Sequence, residues 1–150
     1  MPGPRRALIA AALAWGLSAP AHAAALIVDY LGTHVWTGAD EDFGGFSGIE
    51  MSADGRSYTA LSDRATVRWG SIERDSQGRI RSLSTAGRAR LQDSSGTKLK
   101  PGYLGDAEGL AIDAEGRMYV SFEGLDRIAR FDDPDEPAVV VPRAPAFRAL

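Results

Sequence analysis

From about Gly48 onward the chain is organised by short runs of apolar residues, alternating or continuous, each broken by a glycine beside an acidic or amide residue. "SGIEMSADGRSYTALSD", from Ser47, has such runs on both sides of Asp54-Gly55, and "EGLAIDAEGRMYVSFEG", from Glu108, has them on both sides of Glu115-Gly116. Period-two alternation around a glycine that accepts positive φ predicts two antiparallel hairpins, Gly48 to Leu61 and Gly109 to Phe122. "VRWGSIERDSQGRIRSL", Val67 to Leu83, predicts a third hairpin with its loop at Asp75-Ser76-Gln77-Gly78, and "RIARF", Arg127 to Phe131, a further strand. No stretch after residue 23 keeps a 3.6-residue period, so helix content should be low.

The first two hairpins align without a gap at an offset of 61 residues, with Gly48 over Gly109, Asp54-Gly55-Arg56 over Glu115-Gly116-Arg117, and Tyr58 over Tyr119. Repeated hairpins in a glycine-rich chain predict an all-β fold, a β-propeller or similar radial architecture. Blades of about 40 to 50 residues fit only two or three times after a leader is removed. The expectation is therefore a partial propeller, an open arc with an unpaired flank, in the N-terminal part of a longer protein.

The N-terminal pattern differs. Arg5-Arg6, an apolar run from Ala7 to about Leu17, Pro20 and the small-residue triplet Ala21-His22-Ala23 have the order of a secretory signal peptide. We read residues 1–23 as that leader, 24–42 as a lead-in strand region and 43–150 as the propeller domain, giving a periplasmic or secreted product of Gram-negative bacterial export. No later segment is long and apolar enough to span a bilayer. The 150 residues contain no cysteine, so disulfides and cysteine metal sites are excluded.

Charge alters the picture further. The formal charge of −3 becomes −5 once Arg5 and Arg6 are removed, and the remainder is unevenly spread. Arg68 to Lys100 holds eight Lys or Arg against three carboxylates, whereas Pro101 to Glu136 holds ten carboxylates against three Arg. Two readings stand, solvated strand faces or a basic arm that steers an anionic substrate toward cation-bridged carboxylates. An acidic chain without a basic stripe interleaved with aromatics argues against nucleic acid.

"FGGFSGIEMSADGRSYTALSDR" and "GDAEGLAIDAEGRMYVSFEGLDRIARF" resemble the phytase-like propeller family, esterase-like activity of phytase, from about Phe43 to the C-terminus. The resemblance implies a propeller with its functional face at one mouth of the central channel. The Glu-Gly-Leu-Ala-Ile-Asp segment is also similar to sugar lactonases, where a Glu at the start of the innermost strand binds a divalent cation. That position is Glu108 here, and the first repeat has Ser47 instead.

An antiparallel pair returns its far end beside its near end. Asp106 and Glu108, just before and at the start of one strand, should therefore meet Glu123, just after its partner, at one rim. Calcium takes six to eight oxygen ligands in a flexible shell, so Asp106, Glu108, Glu123, Asp63 and Glu50 are candidate ligands, with Asp106 and Glu108 also candidate catalytic groups. The cation would activate water and neutralise substrate charge. Arg64 is a candidate clamp for a small anionic or ester substrate, or else an ordinary ion-pair partner of Asp63. Asp54, Asp113 and Glu115 read as solvated turn carboxylates. His34 is the only histidine outside the leader and no Gly-x-Ser-x-Gly elbow accompanies it, which argues against a serine triad. "DFGGFSG" lacks the Gly-Lys-Ser/Thr ending of a phosphate loop and reads as framing a close strand entry. The function that follows is a calcium-dependent hydrolase of phosphate or carboxylic esters. The alternatives are a non-catalytic binding propeller whose carboxylates hold a structural ion, and a sugar lactonase.

Overall fold

The computed structural model describes residues 28–146, so the leader expected at residues 1–23 lies outside the described residues. Strands β1 (Phe46–Met51), β2 (Ser57–Ser62), β3 (Thr66–Arg74) and β4 (Ile80–Arg90) form one sheet. Strands β5 (Ala107–Ile112), β6 (Met118–Phe122), β7 (Arg127–Phe131) and β8 (Val139–Val140) form a second. Each sheet is antiparallel, with its strands in chain order. Among the described residues there is no α-helix, and no helix long and apolar enough to cross a membrane.

The turns explain why the hairpins form where the sequence places them. In the loop after β3, Asp75 Oδ1 accepts the N–H groups of Gln77 and Arg79, both at 2.9 Å, while Gly78 donates to the Asp75 carbonyl at 3.0 Å. Asp93 and Asp113 repeat this Asp-x-x-Gly arrangement with Gly96 and Gly116. The glycines adopt φ of 80°, 84° and 84°, which a side chain would strain. Asp113 is thus a turn carboxylate, as is Asp54, whose Oδ1 accepts the Ser52 hydroxyl at 2.6 Å and the Arg56 N–H at 3.1 Å. Burial opposes ionisation of Asp113, but the side-chain and backbone hydrogen bonds of Arg117 keep its carboxyl below the usual range.

The repeat is less regular in space than in sequence. Gly48 faces Leu61 across its hairpin, whereas Gly109 faces Ser121, so the second strands correspond at an offset of 60 residues and the first strands at 61. The cause is Arg56: the Ser52–Ser57 closure encloses four residues and the Asp113–Arg117 closure three. Buried Tyr58 therefore corresponds to buried Met118, and not to half-buried Tyr119.

The sheets share one core. Leu61, Val67 and Leu91 from the first side pack with Met118, Val120, Phe122 and Phe131 from the second. The first strands meet closely at Gly48, where a Cβ would stand 3.0 Å from that of Leu110. The opposite face of the first sheet buries Tyr58, Ala60 and Ile72 against Trp36, Ile80 and Leu83. Trp36 stacks on Phe46 at 4.7 Å and meets Phe43 edge-on.

A charge cluster fixes the segment that carries Phe43. Arg68 and Arg88 are directly opposed across β3 and β4, an unfavourable like-charge pair by itself. Asp42 bridges them at 2.7 and 2.6 Å, and Asp40 binds Arg68 at 2.7 Å. Arg68 is only 2% exposed, so its charge needs these partners. The hydrogen bond from Arg68, reinforced by the charges of Arg88 and Arg68 and opposed by desolvation, holds the Asp40 carboxyl below its ordinary 3.8. A lowered carboxylate pKa contributes stability above 3.8 that is lost as pH falls through the folded-state value. Asp40→Asn should therefore flatten the acid limb of stability between about pH 5 and pH 3, read as the urea midpoint against pH. Parallel acid limbs for the two proteins would contradict this role.

Candidate metal centre

The segment leading into β5 is turned tightly. Gly105 donates to the Gly102 carbonyl at 2.7 Å, and a Cβ on Gly105 would lie 2.3 Å from the Lys100 carbonyl oxygen. Asp106 follows, half-buried. Glu108 is the extra residue of a β-bulge, since Ala107 pairs with Phe122 and Gly109 with Ser121. A bulge leaves its residue outside the ladder and re-aims the side chain, a device common near functional sites. Glu123 lies immediately beyond β6 and its N–H donates to the Asp106 carbonyl at 3.0 Å.

One carboxylate oxygen from each of Asp106, Glu108 and Glu123 lies within 4.8 Å of the others. Among the described residues none of the three accepts a side-chain hydrogen bond or forms an ion pair. Three uncompensated charges at this separation repel one another. Oxygens bound to one calcium at roughly 2.3–2.6 Å stand at most about 5.2 Å apart, so these donors fit a single hard cation.

Arg127, which the sequence reading did not single out, holds the two loops of the site together. Its guanidinium donates to the carbonyls of Leu104 and Leu125 and lies 3.9 Å from the centre of the Phe122 ring. Burial lowers its pKa below the ordinary arginine value. Gly124 permits the same closure, since a Cβ there would stand 2.3 Å from the Tyr103 carbonyl oxygen.

The first sheet has the same bulge at Ser47 and the same closing bond, from the Asp63 N–H to the Gly45 carbonyl at 2.7 Å. By these bonds Gly45, Ser47 and Asp63 are the counterparts of Asp106, Glu108 and Glu123. Of these three counterparts only Asp63 is a carboxylate, and Gly45 makes room for it: a Cβ there would come within 2.4 Å of Asp63 Oδ1. Asp63 lies outside the cluster of three. Its main-chain carbonyl accepts the Ala107 N–H at 3.4 Å, which sets the two rims side by side. Its Oδ1 stands 3.7 Å from Arg64 Nε and has no hydrogen-bond partner. Arg64 and Asp63 are both 43% exposed. Glu50 pairs with Thr59 near the hairpin-turn end of β1 and is removed from the rim.

The fold and the site define an all-β protein with a carboxylate cluster able to hold a metal ion. Residues 41–149 match the family model described as phytase-like, esterase-like activity of phytase, and the chain belongs to that family. No curated protein and no solved structure matches it.

If the three carboxylates repel one another without an ion, removing one charge should stabilise the ion-free protein. In chelator, Glu108→Gln should raise the melting temperature by about 1–3 °C, and with millimolar calcium the order should reverse. A lower melting temperature for the variant in both buffers would show that Glu108 acts through packing alone.

Proposed function

We propose that this is an exported phytase-like β-propeller protein that uses calcium at this rim to hydrolyse phosphate or carboxylic esters. The observation that carries the reading is the cluster of Asp106, Glu108 and Glu123, three hard oxygen donors close together that have no ion-pair partner among the described residues. Asp63, on the adjoining rim of the first sheet, extends the ligand set. Bound there, a divalent cation supplies Lewis acidity and offsets charge on the substrate. A carboxylate oxygen of Glu108 or Asp106 not committed to the ion accepts a proton from the attacking water. Arg64 offers a planar pair of N–H donors to the substrate's anionic oxygens.

Several features support the propeller. Two antiparallel four-stranded sheets pack face to face, with the same bulge in each first strand. Leu110 and Ile112 pack on the shared core, while their counterparts in the first sheet, Ile49 and Met51, are 55% and 53% exposed. An apolar face of this kind is what a further sheet of the same type would cover. Export rests on the leader pattern at residues 1–23.

The full-length protein, freed of metal, should be assayed on a phosphomonoester, a phosphodiester and a carboxylic ester with calcium and with chelator. The reading requires calcium-dependent turnover of at least one of them, reduced by at least about a hundredfold in Glu108→Gln. Calcium binding without turnover of any would instead assign the rim a structural ion in a binding scaffold.

A further inference from the structure

A second polar site lies where β3 begins and β4 ends, and none of Asp106, Glu108 and Glu123 lines it. Thr66 at the start of β3 and Arg90 at the end of β4 are opposed in the ladder, as Arg68 and Arg88 are two residues further along. All four side chains share the face that carries Asp40 and Asp42. For the inner pair the charges close, two guanidiniums against two carboxylates. For the outer pair they do not. Arg90 donates through Nη1 to the Arg64 carbonyl at 2.7 Å and, among the described residues, has no carboxylate partner. Thr66 is 3% exposed and its hydroxyl has no hydrogen-bond partner. A buried hydroxyl left unpaired is rare enough to need a cause.

These two residues line a cleft of about 260 Å³ together with Lys98, Arg88, Asp42 and Asp135. Asp42 is already engaged by Arg68 and Arg88, so Arg90 and Lys98 outweigh Asp135. A neighbouring cleft of about 400 Å³ shares Asp42, Arg88 and Arg90 and reaches Arg64.

We propose that the cleft is a binding site for a tetrahedral oxyanion, a phosphate or phosphomonoester group, held by Arg90, Lys98 and the Thr66 hydroxyl. A guanidinium takes two oxygens at once, the ammonium is a point charge that suits a third, and the hydroxyl is a further donor. A tetrahedral group offers enough oxygens for all of them, whereas a planar carboxylate offers two. Asp135 opposes any anion, a dianion more than a monoanion, so a preference for phosphate over chloride rests on Arg90, Lys98 and the hydroxyl. No residue of the acidic rim lines the cleft, so the site stands whether or not the rim holds a metal.

Calorimetry on the full-length protein in chelator tests this with inorganic phosphate, glycerol phosphate, acetate and chloride at equal ionic strength. Phosphate or glycerol phosphate should bind at least about tenfold more tightly than acetate or chloride. Tighter binding of glycerol phosphate would identify an esterified group as the ligand, and tighter binding of inorganic phosphate the free anion. Arg90→Gln and Lys98→Gln should each weaken binding by about tenfold. Thr66→Val should weaken it as well, Asp135→Asn should tighten it, and Glu108→Gln should leave it unchanged. Phosphate binding no tighter than chloride, or equal affinity in wild type and Lys98→Gln, would overturn the proposal. Lys98 is exposed and makes no ion pair among the described residues, so that variant keeps the test open even if Arg90→Gln fails to fold.

Discussion

The core beneath the site belongs to both sheets together, and the site depends on that fact. Val120, Phe122 and Phe131 are buried because Leu61, Val67 and Leu91 stand opposite them, and the reverse is equally true. Apolar burial is not directional, so register comes from the places where backbones approach closely. Gly48 against Leu110 is one, and the bond from the Ala107 N–H to the Asp63 carbonyl is another. Together they bring the bulged starts of β1 and β5 to a common rim. The carboxylates of the second sheet are held in place by this packing and by Arg127, not by contacts of their own.

The same economy governs the cations. Arg68 is buried between strands that would otherwise oppose two guanidiniums, and it is tolerated because Asp40 and Asp42 reach it from a segment without strands. The basic stretch from Arg68 to Lys100 therefore does not act as one surface. Arg68 and Arg88 are neutralised, Arg74 bonds the turn carbonyls of Gly55 and Gly78, and Arg90 and Lys98 are left to face a cleft. A count of charges along the chain merges these three fates.

Local chemistry made most of the strands legible in the sequence. Asp-x-x-Gly turns are closed by the aspartate's own oxygen and by a glycine with positive φ, so residues three apart determine the hairpins at β3–β4 and β5–β6. The meeting of Asp106, Glu108 and Glu123 was legible for the same reason, because an antiparallel return brings its ends together. The one-residue slip between the hairpins was not. Arg56 lengthens one loop without disturbing the sequence match, and only the register shows that Tyr58 and Tyr119 face differently. Asp40 and Asp42 were missed because their partners lie 28 and 26 residues away, and 46 residues away for Arg88. The two-residue strand β8 carries no pattern that could have revealed it.

The role proposed for the rim of Asp106, Glu108 and Glu123 is to hold a hard divalent cation. Titration of calcium into the metal-free full-length protein by calorimetry tests it most directly, with Glu123→Gln as the rim variant and Asp113→Asn as a turn carboxylate for control. One calcium should bind, about tenfold or more weaker in Glu123→Gln and unchanged in Asp113→Asn. Equal affinity in all three proteins, or no calcium bound by the wild type, would contradict the account.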